Sequence, residues 1–273
     1  MRRLALLIAC VLPLSAVAAA AYSQSAPADN AASLRAAIAA NTRTAANVAR
    51  DRYRHPYETL SFFGVKPTDT VVEIWPGGGW YTEILAPYIA ARGTYYAAGP
   101  EDELGGIRKR IASDPATYGR ARIASFPASD DARRVPDNSV DAVLTFRNVH
   151  NWLGSEGGPD VAAEAFRQMY DMLKPGGTLG VEEHRLPEAR DPAGEIKSGY
   201  LKVSTVRRLA EAAGFRFVGS SEVNANPKDK ADWPNGVWTL PPTLTLKDKD
   251  RDRYLAIGES DRMTLRFVKP LKQ

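Results

Sequence analysis

The stretch Val71-Val72-Glu73-Ile74-Trp75-Pro76-Gly77-Gly78-Gly79-Trp80 sets the fold. An apolar, β-branched run ends in an acid and then breaks into three glycines. Tyr81-Thr82-Glu83-Ile84-Leu85-Ala86-Pro87-Tyr88 follows with helix-like apolar spacing. Strand, glycine turn and helix, in that order, let a backbone approach a bound nucleotide where a side chain would collide.

Outward from that turn the pattern repeats. Residues 94–98 are rich in β-formers and end in Gly99-Pro100-Glu101-Asp102, and residues 104–111 suggest the next helix. Residues 121–126 alternate like a short strand, and residues 139–146 read as a buried strand followed by the polar cluster Arg147-Asn148-Val149-His150-Asn151-Trp152. A helix over residues 159–173 is stopped by Lys174-Pro175-Gly176-Gly177, and a strand at 178–181 runs into Glu182-Glu183-His184-Arg185. A helix over 203–213, with Ser204 as a possible cap, leads to strands at 215–219 and 262–268. Residues 224–242, with Trp233, Trp238 and several prolines, form an insertion too long for a plain connection. Strands alternating with helices at this spacing argue for βαβ units and a parallel sheet. Ligands of such sheets lie beyond the carboxyl ends of the strands. Residues 73–79, 99–102, 126–131, 147–152 and 182–185 all fall there, so the polar residues gather on one edge.

On the amino-terminal side, residues 56–64 read as a short helix started by Pro56 and stopped by Gly64. Residues 22–30 are a polar tether, and residues 31–50 are Ala-rich with helix-like spacing. Residues 1–21 combine Met1-Arg2-Arg3, an apolar run and small residues, the pattern of a secretory signal peptide. The expected organisation is therefore a signal peptide (1–21), a tether and Ala-rich helix (22–50) and one domain (51–273). The expected location is outside the cytoplasm, most simply a bacterial periplasm. Leu7-Ile8-Ala9-Cys10 offers a lipid-anchored alternative at Cys10.

The chain has 273 residues, 44% hydrophobic and 25% charged, which is ordinary globular composition. Its formal charge of +4 falls to +2 without Arg2 and Arg3, so charge gives no reason to expect a nucleic-acid partner. Cys10 is the single cysteine, and its removal with the leader excludes thiol catalysis and a zinc–thiolate site. No stable membrane span is expected after cleavage.

Three motifs in order carry a resemblance. They are Glu73-Ile74-Trp75-Pro76-Gly77-Gly78-Gly79, Ser139-Val140-Asp141-Ala142-Val143 and Leu173-Lys174-Pro175-Gly176-Gly177. Over residues 52–268 the chain resembles the class I S-adenosylmethionine-dependent methyltransferases, and within them an exported bacterial group with a Trp-Pro-Gly-Gly-Gly-Trp turn. The resemblance implies an α/β, Rossmann-like, doubly wound sheet of seven mostly parallel strands, with helices on both faces and an antiparallel last strand. It implies S-adenosyl-L-methionine as cofactor and methyl transfer to a small-molecule acceptor. It places Trp75, Pro76, Gly77 and Gly79 at the turn where the backbone meets the cofactor, Glu73 near the cofactor's amino acid end or ordering the loop, Glu101 at the ribose, and Phe126 with Asp130 or Asp131 at the adenine. Trp75 stands where the family has its first glycine, and Gly99 where it has a ribose-binding acid. Those departures keep open a second reading, an exported non-catalytic protein that binds a ligand or partner on a degenerate methyltransferase fold.

The histidines outside the leader, His55, His150 and His184, all lie near the expected edge. His150, with Arg147 and Asn148 beside it, is the candidate general base or acceptor-orienting group. Glu182, Glu183 and His184 would form the opposite wall. His150, His184 and a carboxylate could hold a metal ion, but no ligand spacing supports one.

Overall fold

The structure is a computed structural model that describes residues 26–128, 133–154 and 157–271. The expected leader, Cys10, Asp130 and Asp131 lie outside the described residues. Among the described residues no helix is long and apolar enough to cross a membrane.

Seven strands form one sheet: β1 (Thr70–Ile74), β2 (Thr94–Gly99), β3 (Arg122–Ser125), β4 (Val140–Phe146), β5 (Leu173–His184), β6 (Arg216–Ser221) and β7 (Arg262–Val268). Their order is β3-β2-β1-β4-β5-β7-β6. β1 to β5 pair in parallel, and β7 runs antiparallel between β5 and β6. This is the expected doubly wound sheet. The order reverses at β1 and β4, which puts a crevice above their carboxyl ends.

The strands are apolar on both faces because helices cover both. Val72, Ile74 and Val143 point into a core shared with Phe166 and Met169 of the helix Pro159–Met172 and Val206 of the helix Val203–Ala212. Val71, Ala142 and Leu144 point the other way, against Leu60 and Phe63 of the helix Pro56–Phe63 and Ile84 and Leu85 of the helix Thr82–Ile89. The two-residue period of a strand produces both cores.

Several local expectations change. The helix expected over 31–50 begins at Ala26, inside the expected tether, and ends at Ile38; two short turns follow, Ala45–Val48 and Asp51–Arg54. Arg43 makes the break by donating to the Ile38 carbonyl at 2.9 Å and gripping Asp51 at 2.7 Å. This bend brings Asn47, Arg50 and Arg54 over the sheet edge. Ser204 is not a cap: Lys202 holds that position, and Glu188 accepts from the Ser204 amide at 3.0 Å and hydroxyl at 2.7 Å. The insertion at 224–242 folds on its own small core of Leu186, Tyr200 and Val237 with Trp233 and Trp238. Asp229 ties it down, accepting from Tyr200 at 2.9 Å and Trp233 at 2.7 Å.

Candidate functional site

The turn after β1 carries three residues in left-handed backbone, Trp75 at φ 49°, Gly77 at φ 55° and Gly79 at φ 80°. That conformation costs a non-glycine residue about 1–2 kcal/mol. Trp75 is held by its amide on the Ala98 carbonyl at 2.7 Å and its indole N–H on the Phe126 carbonyl at 3.1 Å. Its ring stands edge-on to Trp152, with centroids 6.0 Å apart. The indole therefore bridges the ends of β1, β3 and β4 and forms a wall of the crevice. A side chain at Gly77 would meet nothing within 4 Å and would project into open crevice, whereas one at Gly79 would press on Ile107 at 3.1 Å. Gly77 keeps the floor bare; Gly79 serves helix packing.

Glu73 is buried, and its carboxylate accepts from Thr82 at 2.9 Å and from Tyr95. Burial raises its pKa to about 7. One oxygen thus orders the turn and the helix behind it, while the residue still lines the crevice with Pro76 and Gly77.

The crevice has three parts. The first, about 630 Å³, is lined by Trp75, Gly77, Glu103, Asn148, Asn151 and Trp152 among others. Glu103, not Glu101, reaches it. Glu101 is exposed and engaged by Arg108 at 2.8 Å and by Arg133. Phe126 is buried behind Trp75, with its ring 5.8 Å from Trp152. Asn148 donates to the Ile74 carbonyl at 2.9 Å, stitching the ends of β4 and β1 together.

The middle part, about 290 Å³, shares Trp75, Gly77 and Asn148 with the first and adds Asn47, Arg50, Arg54, Glu73, Tyr81 and Arg147. The third, about 250 Å³, shares Arg54, Arg147 and Pro242 with the middle and is walled by His150, His184, Trp238, Glu259 and Ser260. The shared residues make the three parts adjacent along the sheet edge.

His150 and His184 come together in the third part, with ring centroids 5.2 Å apart. Each uses its Nδ1 on an oxygen: His150 on Glu183 at 2.9 Å and His184 on Ser260 at 2.6 Å. Burial, with His150 and Arg147 nearby, pushes the His184 pKa well below the usual histidine range, so its ring is neutral. His55 lines a further pocket with Asn224, which shares Glu259 and Ser260 with the third part, and does not join the pair.

An arginine network surrounds the pair. Glu182 accepts from Arg147 at 2.9 Å and Tyr81 at 3.0 Å, with Arg262 at 3.3 Å. Glu259 accepts from Arg50 at 2.6 Å and from Arg54 and Arg262 at 3.0 Å each. Burial alone would raise the Glu259 pKa, but Arg54, Arg262 and Arg50 outweigh it and hold it at about 2. Arg54, desolvated and close to Arg147, is lowered to about 9.

His150, Glu183 and His184 bring potential metal-ligand atoms within 4.8 Å of one another, a grouping the sequence spacing did not suggest. Glu183 already accepts from His150 Nδ1 and from the His150 and His184 amides, at 3.2 and 2.8 Å. Together with the arginines beside it, that makes the cluster a poor cation site.

Glu103, Arg50, Arg54, Glu259, Ser260 and Arg262 were not singled out by the sequence. Arg54 had one signal, the density of polar and aromatic residues over 51–56, and Arg50, the last residue of the Ala-rich stretch, had none. The last three sit after a helix, Arg251–Ile257, with Tyr254 as its one buried residue and so little periodicity to reveal it.

Residues 72–181 match the family model of a methyltransferase domain. No curated protein matches the sequence. Among solved structures, the chain is similar to an S-adenosylmethionine-dependent methyltransferase from Aquifex aeolicus, at 20% identity and TM-score 0.52, over 64% of this chain and 87% of that one. It is similar to an arsenic(III) S-adenosylmethionine methyltransferase from Chlamydomonas reinhardtii, at 16% identity and TM-score 0.50, over 87% of this chain and 73% of that one. It is also similar to the 4+2 cyclase SpnF, at 15% identity and TM-score 0.55, over 91% of this chain and 96% of that one. Likeness at these identities speaks to the fold.

The cleft suits the cofactor that this domain implies. Gly77 leaves its floor open, Glu103 and Asn151 offer polar groups beside the Trp75 and Trp152 rings, and the buried Arg50 Nη2 in the middle part lacks a partner among the described residues. An orphaned guanidinium nitrogen matches the carboxylate at the cofactor's amino acid end. Residues 72–181 thus match a methyltransferase domain, on a fold shared with solved S-adenosylmethionine-dependent methyltransferases, and S-adenosylmethionine is the cofactor that this match supports.

Proposed function

We propose that the protein transfers a methyl group from S-adenosylmethionine to a hydroxyl of a small molecule held in the third part of the cleft. The observation that carries this reading is the His150–Glu183 pair at 2.9 Å, placed in the part of the cleft adjacent to the middle one. When bound, the cofactor supplies an electrophilic methyl group. Gly77, Trp75, Asn148 and Glu103 would line its adenosine side, and Arg50 with Asn47 its amino acid end. Glu183 fixes the tautomer of His150 by accepting at Nδ1, which leaves Nε2 as the basic atom toward the cavity. That nitrogen would take the acceptor's O–H proton as the oxygen is methylated, the bound cofactor supplying the methyl group and keeping the electron pair of the bond it loses. Trp238, Pro241 and Pro242 close the outer side and exclude water. Arg147, pinned to Glu182, positions the acceptor and is not a proton carrier.

A second proposal concerns location: residues 1–21 serve as an export leader, which N-terminal sequencing of the protein recovered from its host would test.

The enzyme reading is tested with methyl-labelled S-adenosylmethionine and a panel of hydroxylated small molecules. Label transfer should fall about 10²- to 10⁴-fold in His150→Gln, with S-adenosylhomocysteine binding retained. Transfer indifferent to His150 would remove the base assignment. Failure to bind either cofactor form would overturn the reading.

A further inference from the structure

Four guanidiniums, Arg50, Arg54, Arg147 and Arg262, share two carboxylates, Glu182 and Glu259. The other acids nearby do little to relieve the excess. Glu183 is engaged by His150 and two amides, and Glu73 sits on Thr82 and Tyr95 with its pKa drawn up to about 7. Arg54 makes its one side-chain hydrogen bond through Nε and Arg147 its one through Nη1, so their other nitrogens have no hydrogen-bond partner among the described residues, although the Arg54 guanidinium also lies over the Trp80 ring, 4.9 Å from its centroid. Both residues line the wall between the middle and third parts of the cleft.

The cofactor does not neutralise this. Its amino acid end brings one carboxylate, but also an ammonium and the sulfonium, so it enters with a net positive charge. Positive charge gathered in a buried site is unfavourable unless an anion completes it. The remaining negative charge therefore has to arrive with the acceptor.

We propose that the acceptor is a small hydroxylated carboxylate whose anionic group is gripped by Arg54 and Arg147. This rests on reading the cleft as a methyltransferase site and names the substrate class of that site. Two guanidiniums on one wall suit a carboxylate, which takes two N–H donors in one plane. The cavity of about 250 Å³ restricts the molecule to about one ring. Trp238, whose ring centroid lies 6.0 Å from that of His150, gives it an aromatic wall. The carboxylate would anchor the molecule at the arginines while its hydroxyl faces His150.

The test is calorimetry on the wild-type protein with three acid–amide pairs: benzoate and benzamide, 4-hydroxybenzoate and 4-hydroxybenzamide, 3-hydroxybutyrate and its amide. Each is titrated with and without saturating S-adenosylhomocysteine. At least one acid should bind tenfold or more tightly than its amide. That preference should shrink below threefold in Arg54→Gln and return in part in Arg54→Lys. Equal affinities across all three pairs would overturn the proposal, whether or not Arg54→Gln folds. S-adenosylhomocysteine binding without any acid preference would leave the methyltransferase reading standing and remove this one. An acid preference in a protein that binds no S-adenosylhomocysteine would keep the anion site and remove the methyltransferase reading.

Discussion

The two ends of the cleft are built by opposite rules. The first part is assembled largely from two short runs that follow β1 and β4, Trp75 to Gly77 and Asn148 to Trp152, with mostly neutral walls held by side chains that donate to backbone carbonyls. The third draws Arg54, Arg147, His150, His184, Trp238 and Glu259 from distant segments and holds them by charge. On the proposed reading, the difference separates a site for the constant cofactor, readable as a motif, from a site for the variable acceptor, readable only after folding. The buried acids show the same contrast: Glu73 near the first is raised to about 7, and Glu259 near the third is lowered to about 2.

The largest effect should come from the charged end. Glu259→Gln leaves Arg50, Arg54 and Arg262 without their shared carboxylate and should cost about 3–5 kcal/mol in urea unfolding. Similar sensitivity of a variant at the neutral end, such as Trp75→Gly, would erase the contrast.

Next comes pH. Glu259 is depressed, so its stabilisation is complete above its unfolded value of 4.5 and is lost as pH falls toward 2. Glu73 is raised, so the wild-type protein should lose stability as pH climbs from 4.5 through 7 and level off above. Each shift corresponds to about 3 kcal/mol. Glu73→Gln should flatten the fall in stability between pH 4.5 and 7 and leave the acid limb intact; an unchanged profile would show that Glu73 is not the group titrating.

The smallest effect separates two neighbouring acids. Glu103→Gln should weaken S-adenosylhomocysteine binding about tenfold, as expected when one charge-assisted hydrogen bond is lost. Glu101→Gln should leave it unchanged, because Glu101 faces solvent with Arg108. The reverse ranking would move the ribose contact to Glu101.

This contrast also explains what could be read in advance. The seven strands and the glycine turn were legible because strand periodicity and turn chemistry are local. So was the edge on which Glu73, Gly77, Arg147 and His150 gather, since it follows from strand direction alone. That Glu103 rather than Glu101 lines the crevice was not legible, because only the loop's path decides which acid borders it. The partners of His150 and Arg54 were hidden for a different reason. Glu183 lies 33 residues from His150 and Glu259 lies 205 from Arg54, separations at which sequence carries no pairing signal. The Ala-rich helix was misjudged because Arg43, one polar residue in a helical run, turns back to end it.

The central claim is that the bare floor at Gly77 is a cofactor site. Calorimetric titration of S-adenosylmethionine into wild type and Gly77→Val tests it most directly. The wild type should bind one equivalent, and the variant, with a β-branched side chain in left-handed backbone filling the floor, should fold but not bind. No heat from the wild type at millimolar cofactor, or equal binding by both proteins, would contradict it.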